Sequence, residues 1–162
     1  MLLDPKTLQH KEKISLDSAT THILEECRMV LPGIQALFGF QLIVVFNQGF
    51  WDRLNPSEQR LHLLSVVLIA LAVALVMTPA AYHRQTKPAL RPELFISLSS
   101  RLLLWSMFPL MIAICIDFYL IARMILLDSM ASLFAAIGIF VIFLFLWLLL
   151  PRSHSLCRRL SK

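Results

Sequence analysis

The sequence predicts an all-α polytopic membrane protein: a four-helix transmembrane bundle with an N-terminal interfacial helix. The 162 residues are 58% hydrophobic with a mean hydropathy of +0.74. A soluble domain of this size cannot bury that much apolar surface in one core. Only 15% of the residues are charged, against about 25% in typical globular proteins. These charges lie in clusters between apolar runs, and the runs are long enough to cross a bilayer.

The first 28 residues are predicted to form a cytoplasmic segment. They are largely polar, so we expect no cleavable signal peptide there. Residues 15–30 have apolar side chains at helical spacing after Ser15, a suitable N-cap, and are expected to form a helix on the membrane surface. The following Leu31-Pro32-Gly33 is expected to break or kink this helix, because proline lacks an amide donor.

Four membrane helices are predicted within a domain of residues 29–150, before a basic cytoplasmic tail of residues 151–162. They cover about 29–50, 61–82, 101–123 and 130–150. The first is the most polar and contains three of the four glycines, so we expect it to face protein. Arg101 and Arg123 set the bounds of the third, because each can reach an opposite interface. The fourth has no charge and is expected to face lipid, and Leu127-Asp128-Ser129 before it is a suitable cap.

The distribution of basic residues predicts the orientation of the chain. One side carries Lys6, Lys11, Lys13, Arg28, Arg84, Lys87, Arg91, Arg101, Arg152, Arg158, Arg159 and Lys162, and the other carries Arg53, Arg60 and Arg123. Positive residues accumulate on the cytoplasmic side of membrane proteins. Both termini are therefore expected in the cytoplasm.

Asp117 is the most informative single residue. It precedes Arg123 by six positions, about 9 Å along a helix and so deeper in the membrane. A carboxyl group at that depth must pair, take up a proton or face water, which makes it a candidate for proton binding. The alternative is a structural carboxyl group that bonds to Gln48 or His62 and only holds the helices together.

Arg101 requires a partner other than Asp117, because the two residues lie about 24 Å apart along one helix. One expectation is an ion pair that clamps the cytoplasmic ends of two helices. Its acidic candidates are Glu25, Glu26 and Glu93. The other expectation is a site for an anion or a lipid head group, formed with Arg84 and Arg28.

No cofactor or metal is expected, and the chain is predicted not to be an enzyme. His62 and His83 lie about 31 Å apart on the second helix, too far to hold a haem together. The alternative is a cytoplasmic metal site. Its ligands would be His10, His22, His83 and His154, although their spacing matches no metal-binding motif. The cysteines, Cys27, Cys115 and Cys157, form no CxxC pair and are expected to be free.

Three motifs suggest a family. E-x-R-x-x-L-P-G-x-Q-x-L occupies residues 26–37, G-F-Q-L residues 39–42 and P-x-x-Y-H-R residues 79–84. Over roughly residues 20–150 the chain resembles a bacterial family of short four-helix membrane proteins classed as a domain of unknown function. Its members are often labelled sodium:proton antiporter by automatic transfer. The residues that match its pattern are Glu26, Arg28, Pro32, Gly33, Gln35, Gln41, His83 and Arg84.

The resemblance implies a place in the bacterial inner membrane and directs attention to the cytoplasmic rim. This rim is defined by Glu25, Glu26, Arg28, His83, Arg84 and Arg101. The leading functional prediction is a non-enzymatic accessory or homo-oligomeric membrane subunit that assembles through its first helix. The alternative is a small oligomeric ion or proton-coupled transporter, in which Glu26, His83 or Asp117 titrates.

The expected partners are membrane lipids and either further copies of the chain or a larger membrane complex. Nucleic acid is not expected. The net charge of +5 comes from basic residues that flank apolar segments. They do not line a polar face with interleaved aromatic residues, as a nucleic-acid surface requires.

Overall fold

The computed structural model describes residues 5–85 and 92–150, with side chains from residue 18 in the first range and from residue 93 in the second. These ranges are helical and contain no strand. The helices are α1 (Pro5–Val44), α2 (Gln48–Arg53), α3 (Pro56–Gln85), α4 (Pro92–Leu126) and α5 (Ser129–Leu144), the last followed by a π-helical turn, Phe145–Leu149.

Four of these helices are long and apolar enough to cross a membrane. The candidate spans are Ser18–Val44, Pro56–Gln85, Glu93–Leu126 and Ser129–Leu149. The predicted fold class, an all-α multi-pass membrane protein, is confirmed. The predicted tail, residues 151–162, lies outside the described residues.

Helix α1 differs most from the prediction. It runs without interruption through Pro32 and ends at Val44 rather than near Phe50. Of the break or kink expected at Leu31-Pro32-Gly33, the break is therefore wrong. A proline removes one backbone donor, and a membrane-spanning helix keeps its remaining hydrogen bonds because lipid offers no other partner. The predicted interfacial helix forms the first part of α1.

Helix α1 buries one narrow stripe of side chains. Ile23, Cys27, Ile34 and Gln41 are buried, and their spacing of four and seven residues places them on one helix face. Only 17% of the most apolar stretch of α1 is buried, against 33% for α4. The expectation that the first membrane helix faces protein is therefore not met within a single chain.

The predicted loop of residues 51–60 instead holds part of α2 and the first turn of α3. The Asn55 side chain accepts hydrogen bonds from the N–H groups of Ser57 and Glu58, both at 3.0 Å. Glu58 Oε2 accepts one from the Asn55 N–H at 2.9 Å. This reciprocal pattern is a capping box, and Pro56 occupies the first helical position, where its missing donor is harmless.

The remaining helices agree closely with the prediction. The predicted spans 61–82 and 101–123 lie inside α3 and α4, both of which continue through an internal proline. Asp128 caps α5 as expected, accepting a hydrogen bond from the Met130 N–H at 2.9 Å. The preceding Leu127 has a φ of 56°, so the chain turns sharply between α4 and α5.

The chain divides into two compact units. The described residues of the first unit are 5–40, 70–85 and 92–108. Its core includes Phe95, whose ring stacks on Tyr82 with centroids 6.0 Å apart. The described residues of the second unit are 41–69 and 109–150. There Phe50 of α2 packs against Leu54 and Leu120.

Candidate functional site

Four polar side chains meet within the second unit, inside segments that span the membrane. Gln41 comes from α1, His62 and Ser65 from α3, and Asp117 from α4. Gln41, His62 and Ser65 are buried, and 19% of the Asp117 side chain is exposed. His62 and Ser65 are three residues apart, so both lie on the same face of α3. We call these four residues the polar cluster.

Each oxygen of the Asp117 carboxyl group receives a hydrogen bond from a different helix. Ser65 Oγ donates to Oδ1 at 2.5 Å, and Gln41 Nε2 donates to Oδ2 at 2.5 Å. Gln41 Nε2 also donates to Ser65 Oγ. Hydrogen bonds to a charged acceptor are the stronger kind, and a membrane interior offers no water to replace them. The Asp117 carboxyl group is thus held by two neutral donors.

His62 faces the same carboxyl group. Its Nε2 lies 3.1 Å from the backbone carbonyl oxygen of Gln41, which can only accept, so Nε2 carries a hydrogen. Nδ1 then faces Asp117 Oδ1 at a distance of 3.9 Å. Both of these atoms can bind a proton, so the two side chains form an ionisable pair. The edge contact of Phe50 with the His62 ring, 5.2 Å between centroids, covers another side of the imidazole.

One buried atom of the cluster has no partner. Gln41 Oε1 accepts no hydrogen bond from any described residue. An unpaired buried polar atom costs about 1–3 kcal/mol.

An ion pair about two helical turns away from the Ser65–Asp117 hydrogen bond fixes α3 against α4. Arg123 Nε lies 3.1 Å from Glu58 Oε1, and Glu58 is buried. Glu58 precedes Ser65 by seven residues and Arg123 follows Asp117 by six, which are similar distances along antiparallel helices. The ion pair and the Ser65–Asp117 hydrogen bond thus set the same register.

An apolar cavity of about 450 Å³ also lies in the second unit. Residues of α4 and α5 line most of it, including Cys115, Ile116 and Tyr119. These side chains point to a different side of α4 from Asp117, which does not line the cavity. The cavity is therefore separate from the polar cluster.

The sequence comparison covers nearly the whole chain. Residues 9–151 match the family model DUF6328, described as a family of unknown function. The chain belongs to this family. The match includes all four spanning helices and every member of the polar cluster, and it confirms the resemblance drawn from the motifs. No curated protein and no solved structure matches the chain.

The structure brings together only two of the eleven site residues predicted from the sequence, Gln41 and Asp117. The other nine belong to the first unit: Glu25, Glu26, Arg28, Pro32, Gly33, Gln35, His83, Arg84 and Arg101. All nine are exposed. Among the described residues, no hydrogen bond or ion pair joins any two of them, so they form no site within one chain.

The predicted ion pair of Arg101 is also absent from the described part of the chain. Glu25 instead lies 3.8 Å from His22, one turn away on α1. The Arg101 side chain is exposed. The described residues likewise contain no group of three metal-binding side chains, although His10 and His154 of the possible histidine cluster lie outside the described side chains.

The predicted hydrogen bond of Asp117 to Gln48 or His62 is wrong. The donors to the Asp117 carboxyl group are Gln41 and Ser65, and His62 Nδ1 lies 3.9 Å from Asp117 Oδ1. Sequence reasoning missed Ser65. A signal was present, because Ser65 follows His62 by three residues in an otherwise apolar helix and two such polar groups share one face.

Proposed function

We propose that this member of the family is a small proton-coupled transporter. In this proposal it works as a homo-oligomer in the bacterial inner membrane, has both termini in the cytoplasm and catalyses no covalent reaction. The supporting observation is the Asp117 carboxyl group, bonded by two other helices and 3.9 Å from an imidazole nitrogen. Ionisable pairs inside spanning helices are typical of proton relays.

The polar cluster changes the order of preference that the sequence alone supports. From the sequence alone, the accessory subunit is the leading prediction, because the sequence does not show which polar residues meet in the membrane. In the polar cluster, His62 Nδ1 and Asp117 Oδ1 form an ionisable pair 3.9 Å apart, and Gln41 and Ser65 donate hydrogen bonds to the Asp117 carboxyl group. Four helices leave little room for a solute pathway, which is why the proposal includes an oligomer.

The test is proton flux in proteoliposomes that contain the full chain and a pH-sensitive dye. We expect flux under an imposed gradient with at least one monovalent cation, and at least a tenfold loss in Asp117→Asn. Asp52→Asn is the matched control, because Asp52 is an exposed carboxyl group of the same unit. No flux in the natural protein at any pH and cation, or unchanged flux in Asp117→Asn, would contradict the proposal.

A second candidate is the accessory or homo-oligomeric subunit without transport. It is supported by an exposed stripe of α1, formed by Arg28, Pro32 and Gln35 and continued by the partly exposed Gly39, at spacings of four and three residues. The Gln35 amide makes no hydrogen bond to the described residues, although it lies in a spanning segment. An amide on a membrane-facing surface is well placed to bond across an interface to a second copy.

Native mass spectrometry in mild detergent tests this assembly. We expect an oligomer, and about fivefold weaker association in the double variant Gln35→Leu/Gly39→Leu, since interhelical hydrogen bonds in membranes contribute about 1 kcal/mol. Gly138→Leu on α5 is the matched control, because an added Cβ meets nothing at Gly39 or at Gly138. A monomer without any bound partner would contradict the subunit proposal.

A further inference from the structure

Helix α4 carries two arginines with different surroundings. Arg101 and Arg123 are 22 residues apart, about 33 Å along a helix, which is close to the thickness of the hydrocarbon core. Arg123 pairs with Glu58 at 3.1 Å. Arg101 is exposed, and among the described residues it has no acidic partner. Glu93, on the same helix, lies eight positions away, about 12 Å along the axis.

The exposed surface around Arg101 is apolar. Leu94, Leu98, Arg101 and Trp105 follow one another at spacings of four, three and four residues, so they form one stripe of α4. Leu94 is 62% and Trp105 is 63% exposed. The Trp105 ring packs against Phe108, with centroids 5.6 Å apart. A single positive charge therefore emerges from an outward-facing apolar stripe in a spanning helix.

The chemistry of this stripe fits one kind of partner. At the edge of the hydrocarbon core, the anionic groups available to an outward-facing guanidinium are lipid phosphates. A guanidinium donates two parallel hydrogen bonds to a phosphate group. Tryptophan is enriched at the level of the lipid head groups, where its apolar ring meets acyl chains.

We propose that Arg101 and Trp105 form a binding site for an anionic phospholipid, whose phosphate bonds to Arg101 and whose acyl chain lies along Trp105 and Phe108. The site lies within the first unit and does not depend on proton transport. It also differs from the anion site suggested by the sequence, because Arg28 and Arg84 are not required.

The experiment uses Trp105 as its own reporter. The full chain with Trp51→Phe and Trp147→Phe keeps Trp105 as its single tryptophan. It is reconstituted in phosphatidylcholine vesicles that contain a small, equal fraction of either brominated phosphatidylglycerol or brominated phosphatidylcholine. Bromine quenches tryptophan on contact. We expect the effective binding constant for phosphatidylglycerol to be about fivefold higher, the order of one basic residue near an anionic lipid.

Two substitutions of Arg101 separate charge from geometry. Arg101→Gln should remove the preference for phosphatidylglycerol. Arg101→Lys should retain part of it, because an ammonium keeps the charge without the two parallel bonds. Arg53→Gln is the matched control, since Arg53 is an exposed arginine of the other unit, and it should leave the preference unchanged. Far-UV circular dichroism of each variant confirms that the helices are intact.

Several results would overturn the proposal. These are equal quenching by the two lipids in the parent protein, a preference that persists in Arg101→Gln, or an equal loss in Arg53→Gln, which would indicate diffuse surface charge. Loss of the preference on addition of inorganic phosphate would show that a free anion, rather than a lipid, occupies the site.

Discussion

The two units of this chain differ in whether their polar side chains bond to one another. In the second unit, polar side chains turn inward: Gln41, Ser65 and Asp117 bond to one another, and Arg123 bonds to Glu58. In the first unit, Gln35 and Arg101 are exposed and have no polar partner among the described residues. Both units lie largely within spanning segments.

This contrast separates two uses of polarity in a membrane. A polar group that finds a partner within its own chain can bind and release a proton in a fixed geometry. A polar group that points away from its own chain must find a lipid head group or a second protein. We therefore expect chemistry in the second unit and association in the first.

The largest expected difference concerns the two arginines of α4. Arg123→Gln should lower the free energy of unfolding by about 2–3 kcal/mol, because it leaves the buried Glu58 carboxylate unpaired. This value is below the range for fully buried pairs, since 26% of the Arg123 side chain is exposed. Arg101→Gln should change it by less than about 0.5 kcal/mol. Unfolding in mixed detergent micelles, followed by circular dichroism, measures both, and equal losses would contradict the contrast.

The two glutamines of α1 provide a smaller difference of the same kind. Gln41→Leu should destabilise the protein by about 1 kcal/mol, because the lost hydrogen bond to Asp117 outweighs the removal of the unpaired Oε1 atom. Gln35→Leu should have no destabilising effect in a monomeric preparation, since its amide has no partner among the described residues. The same unfolding measurement applies, with the oligomeric state checked first. A larger loss in Gln35→Leu would show that the exposed stripe of α1 already has a partner.

The spanning helices could be predicted from the sequence. Apolar length predicted all four spans, and local chemistry predicted the Asp128 cap of α5. The α2 helix was not predicted, because six residues give too weak a periodic signal. Its start depends instead on the side chain of Asn47, which accepts a hydrogen bond from the Gly49 N–H. The helix break predicted at Pro32 does not occur, because lipid provides no water to compete for the backbone hydrogen bonds of the helix.

Only part of the polar cluster could be predicted from the sequence. The depth of Asp117 follows from counting residues to Arg123, and His62 was a reasonable neighbour on the same grounds. The contact with Gln41 depends on how α1 packs, and three of the four residues of its buried stripe are a cysteine and two isoleucines that carry no polar signal. The exposure of the predicted cytoplasmic rim does not follow from the sequence either, because charged residues at helix ends occur both in functional sites and on solvated surfaces.

The smallest expected difference concerns one glycine from each unit. Gly33→Ala should stabilise the chain by about 0.5 kcal/mol, because alanine restricts the unfolded chain and its methyl group meets nothing within 4 Å at this helical position. Gly49→Ala should give no such gain, since the added Cβ would lie 3.2 Å from Asn47 Oδ1, the atom that caps α2. Thermal unfolding of the two variants in the same detergent compares them directly. An equal gain at both positions would contradict this comparison. It would show that Asn47 can move away from the added methyl group without loss of stability.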